Sequence, residues 1–263
     1  MLTEPVFFFD RTPAQYASLI FMTLLLWLFA GCSTVPREVK AGRQSVQQPQ
    51  VGQARETKAP SQFGWWSVRF RNVRAEDESP RWHVDLMLAD LVVEPVIEQF
   101  AGDLALWRFH RRAGRDDPGH QFSFVFYSDP ETARKVFVAI EGTPILQRMQ
   151  ENSVVDMVRY DDYTVIARPD ISDTSDESWL PALQRVWPAY IMGASVMWLG
   201  LINEHVVISD PLAVEFEELE DYYETANTQI TSLWRNEGQH PFLHHLNALF
   251  GYSPMLLQSE TKF

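Results

Sequence analysis

A single cysteine, Cys32, stands in 263 residues. The chain cannot close an internal disulfide, build a Cys-x-x-Cys redox pair or assemble a cysteine zinc cluster. Basic residues are scarce too: 22 Lys and Arg against 35 Asp and Glu give a net charge of −13. A nucleic-acid binder needs a basic footprint, so that partner class is excluded. Several catalytic signatures are missing: Gly-x-Ser-x-Gly, a phosphate-binding Gly-rich loop and His-Glu-x-x-His. What is present is a globular composition, 46% hydrophobic and 22% charged. A chain of this size buries roughly 70–75% of its unfolded surface, and needs no metal or disulfide to hold a core.

No charge occurs between Arg11 and Arg37, and Ala17 to Gly31 is almost wholly apolar. Such a run suits the apolar core of a signal peptide, whereas a spanning helix needs about 20 residues. It ends in Phe29-Ala30-Gly31-Cys32-Ser33. This segment resembles the lipobox of bacterial lipoproteins. The resemblance implies cleavage between Gly31 and Cys32, diacylglycerol on the Cys32 thiol and acylation of the new amine. Ser33 stands where Asp would favour inner-membrane retention, so the resemblance implies an outer-membrane anchor facing the periplasm. Inner-membrane anchoring with a periplasmic domain is the alternative. An uncleaved signal anchor is the other reading of the same residues, and it also leaves the rest of the chain outside the cytoplasmic membrane.

Residues 1–31 are thus read as signal peptide and 32–64 as a tether. The tether is rich in Gln, Pro, Ser and Gly, and Arg37, Lys40, Arg43, Arg55 and Lys58 outnumber Glu38 and Glu56. It lacks the apolar surface that would offset its ordering entropy. An α+β domain is expected over 65–168, with a helical region over 169–263 in the same structural unit. Strands are expected at Trp65–Val73, Trp82–Leu88, Leu106–Arg112, Gln121–Tyr127, Val154–Tyr160 and Tyr163–Ala167. Helices are expected from Asp90 to Leu104, after the Asp129-Pro130-Glu131 start, and after Thr143-Pro144. This order predicts a ferredoxin-like antiparallel sandwich with a helical C-terminal region packed on it. Val186 to Asn203 carries no charge. It is a membrane-span candidate by length, and is read here as a buried core helix, with Ala189 and Gly193 permitting close approach.

Period two places Arg108, His110 and Arg112 on one side of their strand, and Arg69 and Arg71 on one side of theirs. If the strands are neighbours, one sheet face gathers guanidiniums that bind phosphate or carboxylate in a fork. The acidic helix carrying Glu217, Glu218, Glu220, Asp221 and Glu224 is expected to dock there and neutralise it. His110 and His120 flank the hairpin turn and are a candidate acid–base pair. His240, His244 and His245 have helical spacing but lack the further ligands zinc needs. No metal and no cofactor is therefore expected. The whole predicts a lipid-anchored periplasmic binding or adaptor module rather than an enzyme, touching the membrane through its anchor and an envelope protein through its domain. The alternative is an envelope enzyme, or a binder of anionic lipid or glycan, that uses the Arg/His sheet face.

Overall fold

The computed structural model describes residues 62–74, 79–114 and 119–254. Gly31, Cys32 and most of the expected tether lie outside the described residues. Strand β1 (Gly64–Asn72) alternates as its sequence requires. Trp66, Val68 and Phe70 face the core, while Ser67, Arg69 and Arg71 face the opposite side. Strands β2 (Leu106–Ala113) and β3 (His120–Ser128) pair antiparallel, and β4 (Val155–Tyr160) pairs antiparallel with β1. The sheet order is β2-β3-β1-β4. The fold is α+β with a four-stranded antiparallel sheet.

The core face of the sheet is aromatic. Phe109, Phe122, Phe124 and Phe126 are buried, with ring centroids 5.3 Å apart for Phe109–Phe122 and 5.1 Å for Phe124–Phe126. Each fully buried ring contributes roughly 1.5–3 kcal/mol by removal of apolar area from water. This core accounts for the absence of any need for disulfides.

The segment expected as a strand at Trp82–Leu88 is helical instead. Helix α1 (Trp82–Met87), a π-helical stretch (Leu88–Val93) and α2 (Glu94–Gln99) follow one another without a break. A six-residue window fits period 2 and period 3.6 about equally. Here Val84, Asp85, Leu86 and Met87 are all buried, so no exposed side exists to set a period. Asp90 is consequently inside a helix rather than at its cap. Pro95 lacks an amide hydrogen and its ring crowds the carbonyl one turn back. The π-helical stretch ends just before it, consistent with a local change of hydrogen-bond pattern that accommodates the ring.

Helix α3 (Pro130–Glu141) begins as its sequence demands: Asp129 accepts the amides of Glu131 and Thr132 at 2.9 and 3.0 Å, with Pro130 in the first turn. Helix α4 (Pro144–Glu151) follows. The expected strand Tyr163–Ala167 is a loop. Asp162 turns the chain by accepting the Thr164 amide at 2.9 Å and its hydroxyl at 2.7 Å.

Helix α5 (Pro181–His205) runs along β2, the strand at one edge of the sheet. The Phe109 amide donates to Ser195 Oγ at 3.1 Å, and Ser195 Oγ donates to the Ile191 carbonyl at 2.8 Å. A side chain of α5 thus occupies an edge amide that would otherwise be free to pair with another chain. The expectation of a buried core helix fails. Only 22% of its apolar window is buried, and Ala189 and Gly193 lie on the exposed side. Among the described residues α5 is the one helix long and apolar enough to cross a membrane, with a mean hydropathy of 1.3. Helix α6 (Phe216–Asn236) packs on α1 and α5. A second π-helical stretch (Gln239–His244) leads into α7 (His245–Leu249). The sheet and all these helices fall within one unit, Thr57–Phe263.

Candidate functional site

The register gathers the anticipated cations on the non-core face of the sheet. One row across it reads His110, Ser123, Arg69, Arg159. The next reads Arg112, Gln121, Arg71, Met157. Arg108 lies one row further, opposite Val125 and Ser67. All five residues expected on this face, Arg69, Arg71, Arg108, His110 and Arg112, are on it. Arg159 is a sixth basic residue that the sequence reading missed.

The face divides into a covered half and an open half. The loop after β4 crosses the covered half. Trp65 Nε1 donates to the carbonyls of Asp170 and Ile171 at 3.1 and 3.0 Å, and Tyr127 Oη donates to that of Pro169 at 2.8 Å. Gly64 fits beneath this loop because a Cβ there would come within 2.6 Å of Ile166 Cγ2. A cleft of ≈ 600 Å³ opens beside it, lined by Trp65, Arg69, Asp161, Val165 and Arg168. Asp161 is the hinge of its charges: it accepts from Arg69 Nη1 at 2.9 Å, from Ser67 Oγ at 2.8 Å and from Arg168. On the open half Arg71 grips Asp156 with two bonds of 2.7 Å. Arg159 is exposed and has no ion pair among the described residues.

Helix α6 does not neutralise this face. Its Glu220 instead pairs with Arg81 and lies 3.4 Å from His83 Nε2, at the start of α1. The carboxylates that meet Arg69 and Arg71, Asp161 and Asp156, come from β4 and the loop after it. Arg108 is held differently: its guanidinium sits 5.1 Å from the Trp187 ring of α5, and its Nε has no hydrogen-bond partner among the described residues. Burial, with Arg168 nearby, pushes its pKa down to about 10. The His110 pKa is lowered as well, first by burial and then by the charges of Arg108 and Arg112.

His110 and His120 do not form a pair. They lie on opposite faces of the hairpin, and His120 is buried on the core side. There it joins a cluster that the sequence reading missed because α1 was taken for a strand. Asp85, fully buried, accepts from Asn72 Nδ2 at 2.6 Å and from Arg111 Nε at 2.8 Å, and lies 3.0 Å from His120 Nε2. The Arg111 guanidinium is stacked between Trp82 and Trp198, 4.8 Å from each ring centroid, and bonds the Trp82 carbonyl at 3.0 Å. The cluster ties β1, α1, β2 and β3 together beneath two tryptophans. Its place is structural.

A second polar junction, partly buried, sits on the π-helical stretch and the start of α2. Tyr223 of α6 donates to Asp90, and Asn203 of α5 donates to Glu94 at 2.7 Å. Burial raises the pKa of both carboxyls from ordinary values of 3.8 and 4.5. A carboxyl whose folded pKa is raised contributes stability that is full below its unfolded pKa and lost as pH rises through the folded value. Asp90→Asn is therefore expected to gain on the parent as pH climbs from about 4 toward neutrality. Denaturant melts at both ends of that range check this. A pH-independent difference would contradict it.

His240, His244 and His245 do meet, with ring centroids 5.0–5.5 Å apart. The rings of His240 and His244 lie face to face at 14°. Among the described residues no group of three or more His, Cys, Asp or Glu side chains converges as metal ligands. No family model matches the chain, and neither a curated protein nor a solved structure is significantly similar to it.

Proposed function

We propose that this protein is a lipid-anchored lipoprotein of the bacterial envelope, held in the outer membrane through Cys32 and facing the periplasm. It works as a binding module, and the open half of the sheet is its binding surface. The observation that carries this reading is the pair of adjacent rows with His110, Arg69 and Arg159 in one and Arg112 and Arg71 in the next. Asp161 offsets Arg69 and Asp156 offsets Arg71, while the exposed Arg159 has no ion pair among the described residues and keeps a cation on the surface of an acidic protein. A phosphate or carboxylate group on an envelope lipid or glycan has the matching charge and fork geometry. The strand order, with helices between β1 and β2 and between β3 and β4, supports reading the scaffold as a ferredoxin-like sandwich. The lipobox residues support the anchor, and two or three acyl chains would make it stable.

The test uses the full-length protein in neutral detergent, titrated with inorganic phosphate while the His110 ring is followed by NMR. A bound anion offsets the charges of Arg108 and Arg112, so the His110 pKa should rise toward its ordinary 6.5. Arg159→Ala should weaken that response by about tenfold through lost charge-assisted bonds. Its Tm should stay within roughly 2 °C, because exposed substitutions of this kind cost little. A His110 pKa indifferent to phosphate removes the binding surface from the proposal. An intact mass without diacylglycerol on Cys32 removes the anchor.

A further inference from the structure

Helix α5 turns an apolar side to solvent as well as one to the core. The side opposite its buried residues carries Leu183, Val186, Tyr190, Gly193, Met197 and Gly200. These positions step by three and four residues alternately, the spacing of a helix–helix seam. Val186 is 61% exposed and Tyr190 55% exposed. The seam spans about 26 Å at 1.5 Å per residue.

Two of the six are glycines, the poorest helix formers after proline. Neither serves the fold: a Cβ at Gly193 or at Gly200 would meet nothing within 4 Å. Bare positions in the middle of an apolar seam are explained by a second backbone coming close. They are not explained by lipid, which has no use for a missing side chain.

The charges on α5 choose the partner. Apart from its terminal His205, the helix carries one cation and one anion, Arg185 near its start and Glu204 near its end. Both are exposed, and neither has an ion pair among the described residues. Two copies of α5 packed antiparallel about a two-fold axis near Gly193 set Arg185 of each copy against Leu201 of the other, about 4.5 Å along the axis from its Glu204 and within reach of the long arginine side chain. The same crossing sets Val186 against Gly200 and Tyr190 against Met197, large against small and flat against flexible. A two-fold contact must be self-complementary in this way. An anionic lipid surface is disfavoured, since residues 161–263 hold 4 basic and 16 acidic side chains.

We infer that the exposed face of α5 is a homodimer interface, formed by two antiparallel copies of this helix crossing at Gly193. The contact is independent of the cationic sheet surface and of the lipid anchor.

Cysteine crosslinking of the full-length protein in its native envelope tests it, with the parent chain as control for any Cys32 product. Gly193→Cys lies at the two-fold axis and should give a disulfide dimer on mild oxidation. Val186→Cys and Gly200→Cys should each give little alone and a dimer when combined in one chain. Val138→Cys, exposed on α3, supplies the level of random collision. Gly193→Leu with Gly200→Leu should leave the melting temperature unchanged and raise the dimer Kd by roughly a hundredfold, since bulk at the crossing forces the helices apart. Arg185→Glu should weaken the dimer, and adding Glu204→Arg should restore it. A Gly193→Cys yield no higher than that of Val138→Cys overturns the inference. So does a fluorophore on Gly193→Cys that brominated lipids quench, because the face would then lie in the membrane.

Discussion

Asp85→Ala is expected to lower stability by about 3 kcal/mol, the cost of leaving a half-buried guanidinium and two buried polar side chains without their shared acceptor. For a domain of this size that corresponds to roughly 6–12 °C in Tm. The magnitude follows from the number of groups that converge on one carboxylate. Asp85 is fully buried, and both of its oxygens are used: Oδ1 by Asn72 and His120, Oδ2 by Arg111. Without it the Arg111 guanidinium, half-buried between Trp82 and Trp198, keeps only the Trp82 carbonyl as a protein acceptor among the described residues. Asp85→Asn keeps an acceptor and should fall between the parent and Asp85→Ala. The combined change Asp85→Leu, Arg111→Met, His120→Phe removes the polar groups together and should recover most of the loss, because a buried ion pair and a well-packed apolar cluster are often near equal in stability. Equilibrium denaturation of the four proteins decides. An Asp85→Ala variant within about 1 kcal/mol of the parent would falsify the view that this cluster is a clamp.

The same cluster marks where the sequence was legible and where it was not. Side-chain parity on a strand is fixed by local geometry, so Arg69, Arg71, Arg108, His110 and Arg112 could be assigned to one face without knowing the sheet order. The Asp129 cap was readable for the same reason, since donor and acceptor lie within three residues. Pairing partners are not local. Asp156 reaches Arg71 only because β4 joins β1 with a shift in register between Arg71 and Asn72. Asp161 reaches Arg69 and Arg168 only because the loop after β4 folds back over the sheet. Arg159 joins the cationic row through that same register. Composition pointed to the acidic helix as the neutralising element, but Glu220 lies where helix packing put it, against Arg81. Helix α1 was hidden because it is buried all round, and a residue with no exposed neighbour leaves no period to read. Helix α5 misled in the opposite sense: an uncharged run was taken to mean burial, whereas the helix is apolar on two sides and buries only one.

Trp198→Ala is the other substitution expected to be severe, with a loss of about 3 kcal/mol for a large aromatic packed half-buried against the core. Trp198 meets Phe109 edge-on at a centroid distance of 5.5 Å, lies 6.4 Å from Phe122 and forms one wall of the Arg111 stack. It is the side chain that fastens α5 to the aromatic core, one turn beyond the Ser195 hydroxyl that takes the Phe109 amide. Loosening that contact does two things at once. It takes one ring from Arg111, weakening the hold on a charge half-buried against Asp85, and it frees β2 to expose an edge of unpaired amides. The second effect gives the variant a signature that simple cavity formation lacks. Exposed edge strands pair with other chains, so Trp198→Ala should aggregate with a strong dependence on concentration, through β-rich species that bind an amyloid dye. Phe137→Ala, which empties a comparable ring on α3 far from that edge, should lose similar stability yet unfold without this behaviour. Thermal melts and dye-binding kinetics of the two variants at matched stability separate the cases: equal aggregation would mean that α5 guards no edge, and its contact with β2 would then reduce to packing alone.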